Sequence, residues 1–152
     1  MSERYLEDLE PGQTFRTSSG GIDEEAIKRF AAEFDPQPFH LDEQAARESM
    51  FGDLAASGWH TGAVTMRLLV ESDFRPAGGV IGGSLDELWW PKPVWPGDVL
   101  RAEVEVLEVR RSRSRPERGF VKVRVTTLNQ DDEAVQIYVG NLVVLSRDGG
   151  GD

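Results

Sequence analysis

A curled antiparallel β-sheet wrapped around one long helix, an α+β fold, follows from three features of this 152-residue chain. Four segments in the C-terminal half show period-two alternation and are joined by short links. One central segment is apolar on nearly every side, as a helix in a core would be. Helical and strand-like patterns are segregated along the sequence rather than alternating, which favours an α+β layer over a parallel α/β sheet.

The elements can be justified in order. "YLEDLEPGQTFRT" reads as a turn at Pro11-Gly12 leading into a short strand. Asp23 is placed to cap "EEAIKRFAAEF", where Ile27, Phe30, Ala31 and Phe34 recur at helical spacing. That helix ends where the prolines of "FDPQPFHLD" begin. Asp42 can cap a second short helix, "EQAARES", and Met50-Phe51-Gly52-Asp53 reads as a bend. From Ala63 to Val70, "SGWHTGAVTMRLLVESDF" is apolar except at Thr65 and Arg67, which describes a helix buried all round. "VIGGSLDELWW", "DVLRAEVEVLEV", "GFVKVRVTTLN" and "AVQIYVGNLVVLS" are the strands that would wrap it, linked by "PKPVWPG", "RRSRSRPER" and "QDDE". Residues 1–147 read as a single domain and residues 148–152 as a frayed tail.

Composition narrows the function. A formal charge of −10 argues against general binding to nucleic acid or to anionic membranes, where a basic face supplies most of the affinity. Without cysteine the chain has no disulfides, thiolate nucleophile or thiolate metal site, and its two histidines, His40 and His60, offer no metal-ligand spacing, so no metal is expected. The start "MSERYLEDLEPG" lacks the apolar core of a signal peptide, and no apolar run is long enough to cross a bilayer, so a cytoplasmic location is expected.

Two stretches can carry chemistry. In "FDPQPFHLD", Pro36 and Pro38 bias Asp35 and Gln37 towards extended backbone, so the Asp35-to-His40 segment is expected to be rigid and non-helical. A fully extended step of that length spans roughly 16 Å, so the two side chains meet only if the chain curves back. If they meet over a pocket, a carboxylate and an imidazole can hold a water and move its protons; the same residues also serve as turn formers and caps. In "AASGWHTG", Ser57 can cap the buried helix, leaving free N–H groups around Gly58 and Trp59 where a developing oxyanion could bind. An ordinary capped helix start reads the same way. His60 falls in the first turn and is read as structural.

The order of these pieces resembles the MaoC-like dehydratases, the family of the (R)-specific enoyl-CoA hydratases. Its motifs are an opening like "YLEDLEPGQTF", Asp-x-Asn-Pro-x-His (here "DPQPFH"), a small-residue helix ("LDEQAA"), an Ala-x-Gly helix start ("ASGWHTG") and a Lys-Pro-Val-x-Pro-Gly-Asp turn ("KPVWPGD"). The resemblance implies a hot-dog fold and the hydration of a 2-enoyl thioester, or dehydration of its (R)-3-hydroxyacyl counterpart. It implies Asp35 and His40 as the pair holding the water, Gly58 as the backbone donor to the thioester oxygen, and Ser57, Trp59 and Gln37 around the substrate. Gln37 stands where the family usually has Asn, Phe34 where Gly commonly precedes the Asp, and Ser57 where His often precedes the glycine. No cofactor is implied beyond the acyl-CoA or acyl-carrier thioester substrate, and the expected assembly is a homodimer or a higher oligomer built from dimers. Alternatives are a hot-dog thioesterase, for which the central helix offers no carboxylate before Glu71, and a non-catalytic acyl-thioester-binding protein.

"VRRSRSRPERG" reads as a hairpin tip whose charges face water, with coenzyme A phosphates as the ligand if it has one. The tryptophans of "DELWWPKPVWPG" read as sheet core or subunit interface.

Overall fold

The computed structural model of the chain describes residues 2–147, so the expected tail at 148–152 lies outside the described residues. After a single 3-10 turn at Leu6–Asp8 come β1 (Thr14–Arg16), β2 (Gly20–Gly21), α1 (Glu24–Phe34), α2 (Pro38–Leu41), α3 (Glu43–Arg47) and α4 (Gly58–Val70). The chain continues through β3 (Ile81–Trp89), β4 (Val99–Arg111), β5 (Arg118–Leu128) and β6 (Ala134–Leu145). The caps fall on the expected residues. Asp23 accepts from Ala26 N–H at 2.8 Å and Asp42 from Ala45 N–H at 2.8 Å, each satisfying an orphan donor of a helix start.

All the strand pairs are antiparallel, in the order β1-β4-β5-β6-β3, with β2 beside β4. Alternate residues of the central strands, Val104, Val106, Val121, Val123 and Val125, are fully buried and meet Leu69 of α4 and Phe74 in one core cluster. Each such valine contributes about 1.5 kcal/mol or more by leaving water, which is what holds helix and sheet together.

Two features differ from the expected picture. First, β3 and β4 are consecutive but do not pair; β3 crosses to the far edge of the sheet, beside β6. Pro91, Pro93 and Pro96 in the link cannot join a ladder, so the segment from Trp90 to Asp98 instead crosses near the start of α4, where Ala56 N–H donates to Val94 C=O at 2.9 Å. Second, α4 is not buried all round. His60, Thr61, Thr65, Leu68 and Leu69 face the sheet and core, whereas Trp59, Ala63, Met66 and Val70 form an exposed apolar stripe. Within one chain the sheet covers only one side of the helix, and nearly all of β3 is exposed as well.

At the opposite end, the β4–β5 hairpin tip carries the expected arginine-rich turn, but Arg111 folds back from it. It donates to the Glu7 carboxylate at 2.5 Å and to the Ser146 hydroxyl at 2.8 Å, tying the chain's start to its last strand. The hydrogen bond from Ser146 leads the interactions that pull the Glu7 carboxyl down to about 2.

Candidate active site

Asp35 closes α1: its own N–H still bonds back to Ala31 C=O at 2.8 Å, while its backbone (φ −149°, ψ 67°) has left the helix. Pro36 forbids continuation. Gln37 is extended, as expected, but the segment then turns helical, because Pro38 occupies the first position of α2, where its missing N–H costs nothing and its fixed φ suits a helix. The expectation of a non-helical Asp35-to-His40 segment is therefore corrected. That turn brings the chain back on itself and sets His40 Nε2 3.4 Å from Asp35 Oδ2.

The histidine ring is 4% exposed and packs edge-on against Phe39. Its Nδ1 lies 2.6 Å from the Ala55 carbonyl oxygen. A carbonyl only accepts, so Nδ1 carries the proton and Nε2 of the neutral ring is left as an acceptor on the side of Asp35. Gln37 Nε2 donates to Asp35 Oδ1 at 2.6 Å. Burial disfavours the charged Asp35, but the hydrogen bonds from Gln37 and Ser57 and the positive charge His40 can carry together hold its carboxyl below the usual carboxylate range.

Ser57 is fully buried and caps α4, its hydroxyl accepting from Trp59 N–H at 3.3 Å. Gly58 opens the helix, and its N–H donates to no group among the described residues. Gly58 shares a cavity of about 200 Å³ with His40, Phe51, Thr61, Trp90 and Val94. A carboxylate, an imidazole acceptor and an unspent backbone donor near a helix N-terminus are the parts needed to orient a water against a polarised carbonyl.

The remaining residues expected at the site divide. Gln37 touches Asp35 and is itself exposed, so it acts on the carboxylate rather than lining the cavity. Trp59 is 60% exposed and lines a second, larger groove on the other side of the helix start. His60 is buried, stacks on Phe30 with ring centroids 4.6 Å apart, and leaves Nδ1 unpartnered among the described residues; burial, then the Arg29 charge, pushes its pKa down. Trp90 is the residue that sequence reasoning missed. Trp89 and Trp90 are each about 40% exposed and not part of the sheet core, and Trp90 lies directly against Gly58: a Cβ there would come within 2.6 Å of the indole. The only signal was its place just ahead of the proline-rich link. Among the described residues no three His, Cys, Asp or Glu side chains converge to hold a metal ion, and no helix is long and apolar enough to cross a membrane.

The model of the MaoC-like domain matches residues 8–129, from the last residue of the first turn to the residue after β5. The chain belongs to the MaoC-like family. It is 36% identical over 142 residues to the uncharacterised protein YdeM of Bacillus subtilis, covering 93% of this chain and 98% of that one. Its fold is the hot-dog fold of that family. A crystal structure of a MaoC-like dehydratase from Rhodospirillum rubrum superposes with a TM-score of 0.90 at 53% identity, covering 94% of this chain and 97% of that one. The unliganded (R)-hydratase PhaJ1 from Pseudomonas aeruginosa superposes at 0.72 with 27% identity, covering 95% and 88%.

Proposed function

We propose that this MaoC-like protein adds water to a 2-enoyl thioester and, in reverse, dehydrates the (R)-3-hydroxyacyl thioester, the acyl group being carried on coenzyme A or an acyl carrier protein. The observation that carries this reading is the pairing of Asp35 with His40. A carboxylate and a ring nitrogen whose proton is committed to Ala55 are both acceptors, and two acceptors 3.4 Å apart call for a donor to both. One water meets that need.

In the forward direction the water oxygen attacks C3 of the enoyl group while a proton passes from the water to the Asp35–His40 pair. The electrons displaced from the double bond collect on the thioester oxygen, which accepts from Gly58 N–H beside the positive end of α4. The pair then returns the proton to C2. A water is consumed as hydroxyl at C3 and hydrogen at C2, with no redox change and no cofactor.

Support also comes from what surrounds the pair. Gly58 and His40 line one cavity, and MaoC-like relatives include an (R)-hydratase of the same fold. A thioesterase would draw on a carboxylate of α4, but Glu71 sits past the far end of that helix, about 20 Å from Gly58 at 1.5 Å per residue, and pairs with Arg67. We read the protein as a cytoplasmic enzyme of acyl-thioester metabolism acting as a homodimer. The exposed apolar residues of β3, Ile81, Leu85 and Trp89, together with the open stripe of α4, give the second copy its surface.

The experiment is direct. Incubation with crotonyl-CoA should bleach the enoyl-thioester absorbance without releasing free thiol. Thiol release would mark a thioesterase, and an unchanged band at high enzyme would remove the hydratase reading.

A further inference from the structure

The parts of the site come from different helices. Asp35 closes α1 and Gly58 opens α4, so their separation depends on how the last turns of α1 lie against the first turn of α4. Of the two helices, α4 is the anchored one. Its Thr65 Oγ1 pairs with Thr127 Oγ1 of β5 at 2.7 Å and accepts from the Gln136 amide of β6 at 3.3 Å, and Gln136 is only 1% exposed. Gln136 Oε1 in turn accepts the Trp90 indole N–H at 2.8 Å. Hydrogen bonds buried in this way tie the helix to two strands of the sheet.

The end of α1 has less to hold it. Ile27 and Ala31 are fully buried, but of the two large side chains that follow Ile27, Phe34 is 65% exposed, which leaves Phe30. Phe30 lies flat against His60 of α4, ring centroids 4.6 Å apart and planes at 8°, and also meets Phe34 at 5.1 Å. The His60 ring is 8% exposed, and its Nδ1 has no partner among the described residues. Burial, then the Arg29 charge, favours the neutral ring, which can stack on a phenyl face without losing the hydration of a cation. An orphaned buried nitrogen costs stability, and no hydrogen bond at Nδ1 offsets it; what the side chain gives the fold there is its flat face.

We propose that His60 is a positioning residue of the acid-base site: its face on Phe30 braces the end of α1 against α4 and so sets Asp35 in register with His40, Ser57 and Gly58. It touches no reacting atom. The inference rests on the hydratase reading. Two of the groups that hold the Asp35 carboxyl low, the Ser57 hydroxyl and the His40 ring with Nε2 at 3.4 Å, lie outside α1, whereas Gln37 is only two residues away in the chain. Loosening the brace therefore raises the Asp35 pKa and slows the chemical step while leaving substrate binding alone.

The test measures kcat, KM and the acid limb of the pH profile with crotonyl-CoA for the wild type, His60→Ala, His60→Phe, Phe30→Leu and the double variant His60→Ala with Phe30→Leu. His60→Ala should lower kcat about fivefold, a fraction of the ~100-fold that a full misplacement costs, and move the acid limb to higher pH. KM should stay within about twofold. His60→Phe restores a flat face and should return kcat and the limb to within about twofold of wild type. Phe30→Leu removes the stack from the other helix, so the double variant should lose no more than either single one. A purely structural role would lower the melting temperature and leave kcat and the limb of the folded protein unchanged, which overturns the proposal. So would a rise in KM alone, a His60→Phe variant as slow as His60→Ala, or full additivity in the double variant. If His60→Ala does not fold, Phe30→Leu and His60→Phe carry the comparison. If the wild type hydrates no enoyl thioester, the functional reading fails separately, and the brace is judged by NMR titration of Asp35. A pKa that rises in His60→Ala and Phe30→Leu but not in His60→Phe supports it, and one that stays in place in both of the former rejects it.

Discussion

His40 presents Nε2 to the Asp35 carboxylate across 3.4 Å while its Nδ1 is bound to the Ala55 carbonyl at 2.6 Å. The ring is thus fixed by backbone from a different segment, with one nitrogen spent on that carbonyl and the other turned to Asp35. Asp35→Asn and His40→Ala should each keep the fold by circular dichroism and lower hydration about 100-fold or more, the scale of a positioned acid-base group. His60→Ala should cost far less, because that ring is stacked on Phe30 rather than facing Asp35. Equal losses at the two histidines would mean the assignment is reversed.

Gln37 is the tunable member of the site. Removing its 2.6 Å hydrogen bond in Gln37→Ala should raise the Asp35 pKa, and Gln37→Glu, which places a like charge beside Asp35, should raise it further. Because the folded Asp35 carboxyl lies below its unfolded value, its ionised form contributes stability that is present above the ordinary carboxylate range and lost as pH falls through the folded value. Acid unfolding should therefore lose part of its pH dependence in Gln37→Ala. An NMR titration of Asp35 that did not move in either variant would refute this.

At Gly58 the indole of Trp90 leaves no room for a methyl group. Gly58→Ala should cost about 1–3 kcal/mol of stability, the usual range for overpacking. The cost should be smaller when Trp90→Ala is already present, since the obstacle is then gone. Denaturant melts of the two single variants and the double variant measure the coupling, and full additivity would show that the methyl meets something else.

The open edge at β3 and the bare stripe on α4 are expected to close in a dimer. Light scattering at micromolar concentration should give twice the monomer mass, and Leu85→Glu, which puts a charge on a side chain 56% exposed in the single chain, should shift it towards monomer. A wild-type monomer at that concentration would contradict the assembly.

What could be read in advance was what is local. Asp23, Asp42 and Ser57 cap their helices as expected because a cap is settled within three residues of chain, and the alternating valines of β4 and β5 announce their buried face by period alone. The approach of His40 to Asp35 was open in the sequence, since it depends on Pro38 starting a helical turn rather than prolonging an extended segment. The position of β3 beside β6, the open side of α4 and the contact of Trp90 with Gly58 join residues tens of positions apart, and no spacing rule encodes them. Gln136 gave no warning either. A glutamine inside an alternating strand looks like one more outward polar residue until its burial is known.

In the proposed hydration one water, gripped by Asp35 and His40 on one face of the substrate, supplies both the hydroxyl and the proton. Hydration of crotonyl-CoA in deuterated water reads that out. Syn addition is expected, with deuterium at C2 on the same face as the hydroxyl at C3, and a single (R)-3-hydroxyacyl product on chiral analysis. Anti addition or a mainly (S) product would contradict it, even in a protein that proved to be a hydratase.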